Sequence, residues 1–144
     1  METKLNELLQ QGKDYMMECS EENFSTKRNN KWSKKEMLGH LIDSGIHNLL
    51  RITEVQFEGR PYPIRKYRPN ESVVANNYQH TDSKQLINFW LAVNYQLLNV
   101  IALQTEESLC YQIKFETGKV AGLRFLIEDY IEHLEHHLNQ IRKD

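Results

Sequence analysis

Glycine and proline are scarce, six and three in 144 residues. A fold of many tight turns needs more of both, so the chain favours long helices over a many-turned β architecture. Cysteine is scarcer still. Cys19 and Cys110 stand far apart and form no metal-type spacing. The expectation is a reduced, cytoplasmic protein with no structural disulfide, its two thiols buried and inert. Neither sign of charge dominates: 18 Lys and Arg stand against 20 Asp and Glu, a formal charge of −2. No broad basic field invites nucleic acid. No apolar run approaches the roughly 18 residues of a membrane span. The opening Met-Glu-Thr-Lys-Leu-Asn-Glu-Leu-Leu-Gln lacks a signal peptide's apolar core. What is left, 40% apolar and 26% charged residues, is the make-up of a globular chain. The length suits one domain over residues 1–144 with a single core.

Helical periodicity organises that domain. Leu5, Leu8, Leu9, Gly12, Tyr15, Met16 and Cys19 keep a three-to-four spacing over residues 2–20. Residues 20–31 are polar and read as a connection. Ser33 with Glu36 three residues on is a capping box, and Trp32 before it is a candidate staple. A second helix follows to about Phe57, its core arc holding Met37, Leu38, Leu41, Ile42, Gly45, Ile46, Leu49, Ile52 and, in part, Phe57. Residues 59–81 hold all three prolines and show no period; they read as a long excursion. Loops of this length commonly have a covering or functional role. A third helix over 82–104 is capped by Thr81 or Asp82 and carries a broad apolar surface that includes Phe89, Trp90 and Tyr95. That surface suits either core or a homodimer contact. After a connection over 106–119, the last helix runs from Leu123 to about Arg142. Four helices make an all-α four-helix bundle the expected fold, with the excursion between its second and third helices.

The last helix carries the chemistry. At about 100° per residue, Leu123, Leu126, Ile127, Tyr130, Ile131, Leu134, Leu138 and Ile141 share one arc of roughly 140°. His137 projects inside that arc and His133 lies on its edge one turn earlier, while His136 falls on the opposite side. Two imidazoles one turn apart are placed to grip one metal ion, although such pairs also occur in helices that bind nothing. A third ligand is needed. If the second and last helices are antiparallel neighbours, His40 near the start of one meets His137 near the end of the other. Three neutral imidazoles leave a coordination position open, the pattern of a catalytic metal. Zn, Ni or Fe(II) would each accept such ligands. The sequence argues against a di-iron carboxylate site, since the third helix holds no Asp, Glu or His between Ser83 and Gln104.

Beside the core arc of the second helix, His40, Ser44, His47 and Arg51 form a polar strip that could line a pocket. Ser44, His47 and Arg51 are candidate supporting residues, with Arg51 suited to a substrate carboxylate. Tyr130 joins them, one turn before the histidine pair, with a hydroxyl able to bond a water or substrate. His47 alone reads more simply as a hydrogen-bonded margin residue. Asp43 and His136 read as surface residues, His80 as a loop residue.

Taken together, Trp32-Ser-Lys-Lys-Glu-Met-Leu-Gly-His-Leu-Ile-Asp-Ser44 with Asn48 and Arg51, the segment Tyr78 to Asn99 with Trp90 and Asn94, and Asp129-Tyr-Ile-Glu-His-Leu-Glu-His-His-Leu138 resemble the DinB/YfiT-like superfamily. The resemblance covers roughly residues 31–141. It implies a four-helix bundle, often dimeric, with a divalent metal held by one histidine of the second helix and a His-x-x-x-His pair of the last. Those map onto His40, His133 and His137. It further implies a metal-activated thiol or water. The family includes S-transferases using bacillithiol or mycothiol, a maleylpyruvate isomerase and metal-dependent hydrolases. The expected partner is a small-molecule substrate, a low-molecular-weight thiol by preference. A metal-dependent hydrolase and a non-enzymatic, stress-associated metal-binding dimer stand as alternatives. The 59–81 excursion would shape the pocket mouth.

Overall fold

The computed structural model describes residues 1–143. Four long helices form the bundle: α1 (Glu2–Glu18), α3 (Lys34–Glu54), α5 (Ser83–Ala102) and α6 (Leu123–Ile141). Two short helices, α2 (Glu21–Ser25) and α4 (Pro69–Ala75), sit in stretches that lack a long apolar period and read from sequence as connections. Helix starts follow the caps. Ser33 Oγ accepts from the Glu36 amide at 3.1 Å, and Glu36 Oε1 accepts from the Ser33 amide at 3.1 Å, closing the capping box. Asp82 accepts from the Gln85 amide at 3.0 Å and starts α5.

The helical expectation holds, with one addition. Strands β1 (Tyr62–Pro63), β2 (Gln112–Lys114) and β3 (Val120–Gly122) make a small sheet. β1 pairs parallel with β2, and β2 pairs antiparallel with β3. Strands of two or three residues are too short to show a period of two, which is why composition alone gave no sign of them. Ile113 is fully buried at their centre and ties the excursion to the entry of α6.

The core is one cluster that holds Trp90, wholly buried, together with Leu38, Leu41, Ile42, Leu97, Ile127 and Leu134. Gly12 lets α1 approach: a Cβ there would lie 2.8 Å from Trp90 Cη2. Several expectations fail at the margins. Phe57 lies beyond the end of α3 and is 69% exposed, and Ile46 is 41% exposed rather than core. Cys110 is exposed rather than buried. Asp43, read as a surface acid, is buried. The excursion folds over it, with Tyr78 donating its hydroxyl at 2.5 Å and Asn76 Nδ2 donating at 3.3 Å, both to Asp43 Oδ1. Burial pushes that carboxyl above the ordinary range, and the Tyr78 hydrogen bond partly opposes the shift. Among the described residues no helix is long and apolar enough to cross a membrane.

Candidate metal centre

α3 and α6 pack antiparallel, so the first turns of one face the last turns of the other. This brings His40, His133 and His137 together. Ring centroids stand 5.1 Å apart for His40 and His133, 4.8 Å for His40 and His137, and 4.5 Å for His133 and His137. One ligand nitrogen from each lies within 4.8 Å of the others. His40 Nε2 and His133 Nε2 approach to 3.2 Å. The set is slightly wider than a closed shell around one ion, whose nitrogen ligands stand roughly 2.0–2.1 Å from the centre.

The protonation state suits a cation. Burial, then the neighbouring imidazoles, push His40 and His133 down to about 4. Burial also lowers His137, against the opposing effect of Gln140. All three rings are therefore neutral near pH 7, as metal ligation requires. His137 Nδ1 donates to Gln140 Oε1 at 2.9 Å, which leaves its Nε2 lone pair for the cluster. The same amide turns its Nε2 toward His136 at 3.3 Å, so one side chain orients both rings. His40 Nδ1 and His133 Nδ1 are buried without a partner. Neutral nitrogens converge here with no carboxylate in the cluster. A divalent cation answers that donor set.

A cleft of about 310 Å3 leads from His133 between α3 and α6. Ser44, Asn48 and Arg51 line one side, with Leu126, Asp129 and Tyr130 on the other. Ile64 and Tyr67 come from the excursion, Phe115, Glu116 and Thr117 from the turn after β2. Arg51 Nη2 donates to the Arg65 carbonyl at 3.1 Å and forms no ion pair with a carboxylate among the described residues. Burial raises the Tyr67 hydroxyl, and the neighbouring Ser44 side chain partly opposes the shift. Asn48 Nδ2 donates to the Ser44 carbonyl at 2.9 Å and holds that wall.

Of the expected supporting residues, Ser44, Arg51 and Tyr130 reach this cleft and His47 does not. His47 stacks on the far face of Tyr67, 4.1 Å between centroids at 10°, and opens on a separate hollow beside Leu50 and Glu54. Tyr130 contributes its ring, but its hydroxyl donates to Asn94 Oδ1 at 2.6 Å in the core, so only its lone pairs remain for a ligand. His136 is exposed, as expected. Sequence reasoning missed Tyr67 and Phe115, which lie on connections without a period. It also missed Gln140, although its place three residues after His137 put it in reach on the helix.

The comparisons with known proteins agree with the fold. YfiT from Bacillus subtilis, a probable metal-dependent hydrolase with an unusual four-helix bundle topology, superposes with a TM-score of 0.86 at 17% identity, over 97% of this chain and 81% of that one. A variant of a mycothiol-dependent maleylpyruvate isomerase gives 0.81 at 10% identity, over 99% of this chain and 60% of that one. A second structure of that isomerase gives 0.69 at 11% identity, over 97% and 55%. At these identities the likeness is one of fold. No curated protein sequence matches the chain. The sequence profile of the DinB superfamily matches residues 9–141, and the chain belongs to that superfamily.

Proposed function

We propose that His40, His133 and His137 hold one divalent ion, Zn, Ni or Fe(II), and that the protein is a metal-dependent enzyme acting on a small molecule in the adjoining cleft. The observation that carries this is the convergence of three neutral imidazoles at one end of an open cleft lined by both polar and apolar side chains. A bound ion supplies acidity, lowering the pKa of a coordinated thiol or water toward neutrality. The residues around it do the rest. Gln140 holds the His137 tautomer. Ser44 and Tyr67 both line the cleft and offer two hydroxyls near His133. Arg51 offers a guanidinium to an anionic group of the substrate, which would compete with the Glu116 carboxylate in the same cleft.

Transfer of a low-molecular-weight thiol, of the bacillithiol type, onto an electrophile is the preferred reaction. A cleft of about 310 Å3 accommodates an organic thiol rather than a water alone, and a fold relative depends on mycothiol. Hydrolysis is the second reading, favoured by the likeness to YfiT. The test is consumption of bacillithiol against an aryl halide by metal-loaded protein, with ester hydrolysis measured in parallel. Metal-dependent thiol consumption, lost in His137→Ala and reduced in Ser44→Ala, is expected. Activity that persists in a His137→Ala protein shown to carry no metal would remove the proposal; metal-dependent ester hydrolysis without thiol transfer would select the second reading.

A further inference from the structure

The bundle end that carries the histidines has a second face. There Arg28, Lys31, Lys34 and Lys143 line a pocket of about 280 Å3. Lys31 and Lys143 also line a wider hollow of about 560 Å3 that shares its floor, formed by the half-buried Trp32 and Met37. Among the described residues no Asp or Glu lines either space, in a chain where acids outnumber bases by 20 to 18. Of the described acids, Glu36 pairs with Lys27 and Glu21 with Lys35. None of the four lining cations forms an ion pair among the described residues. Lys34 is the most telling. It is only 7% exposed, and its Nζ has one polar partner, the Tyr15 hydroxyl at 2.6 Å. An ammonium carries three donors, and burying one without a counter-charge is costly. An anion in the pocket would meet both demands.

We infer that this hollow binds a phosphate-bearing small molecule, at a site separate from the cleft beside His133. The charge count selects phosphate over a single carboxylate. Four cations ring one small space, and a phosphate monoester brings about −1.5 to −2 with three acceptor oxygens. The floor selects a ligand with a ring as well. Trp32 and Met37 offer an apolar platform on which a sugar or base would lie. The site also backs onto the histidine cluster. Trp32 packs on His40 with centroids 5.0 Å apart, and Gln140, which lines the hollow, is the acceptor for His137.

The experiment uses the full, metal-free chain, so its outcome is independent of metal loading. Glucose 6-phosphate, inorganic phosphate, glucose and malate are titrated by calorimetry and by tryptophan fluorescence, which Trp32 reports because Trp90 is wholly buried. Saturable one-to-one binding of glucose 6-phosphate is expected, weaker for inorganic phosphate and absent for glucose. The exposed pair Arg28→Gln/Lys31→Gln should weaken it about tenfold or more, while Lys84→Gln/Lys114→Gln should not. His133→Ala should bind as the parent does. No saturation by about 10 mM, equal binding of malate, indifference to Arg28→Gln/Lys31→Gln, or loss of binding in His133→Ala would each overturn the assignment.

Discussion

Gln140 decides which nitrogen of His137 is free, and so whether three lone pairs or two face the cluster. Replacing such an outer partner costs roughly 10–100-fold in metal affinity. Gln140→Leu should therefore bind metal more weakly by about that factor in a competition titration against a chelator, with circular dichroism unchanged. An unchanged affinity would mean the amide does not orient the ring. The same rings make a pH prediction for the metal-free protein. His40 and His133 are pushed down to about 4 in the fold, against an unperturbed value of 6.5. As pH falls the unfolded chain takes up protons first, so it is favoured by acid. The stability due to neutral His40 and His133 is complete above 6.5 and is lost as pH falls from there toward 4. Urea midpoints should decline over that window, with a shallower slope in a His40→Phe/His133→Phe double variant. Equal slopes would contradict the assigned burial.

Elements place those residues, and the excursion depends on a missing side chain. A Cβ on Gly39 would lie 2.1 Å from Tyr78 Cδ2, well inside contact distance. Gly39→Ala should push Tyr78 off α3, break its bond to Asp43 and cost about 1–3 kcal/mol or more. Limited proteolysis should then cut within 59–81 before the bundle. A variant as resistant as the parent would show that Tyr78 does not anchor the segment. At the start of the same helix, Ser33→Ala removes one half of the capping box together with the hydroxyl's hydrogen bond to Gln79, and should cost about 1 kcal/mol or more in urea unfolding. No change there would mean the box contributes nothing net.

At the scale of the molecule, the fold was legible where periodicity runs for several turns. α1, α3, α5 and α6 were placed within a few residues of their ends, and the capping box and Asp82 were read from short local patterns. The histidine cluster was legible for the same reason: helical spacing fixes His133 against His137, and antiparallel packing matches the level of His40. What stayed hidden depends on contacts distant in sequence. Asp43 looks solvated on a helical projection, because nothing local shows that residues 76–78 will cover it. Tyr130 seemed free for a ligand, because its acceptor Asn94 lies on another helix. Tyr67 and Phe115 belong to connections whose path is set by a sheet of very short strands. Phe57 reads as core only if the helix continues past Glu54, where it ends.

Metal stoichiometry by elemental analysis tests the central claim most directly. It is best done on protein purified without a histidine tag, after reconstitution with zinc, nickel or ferrous iron. The account predicts about one ion per chain from a three-histidine site, lost in His40→Ala, His133→Ala and His137→Ala and kept in His136→Ala. Protein that takes up no ion under any of these conditions, or loses it equally in His136→Ala, would contradict it.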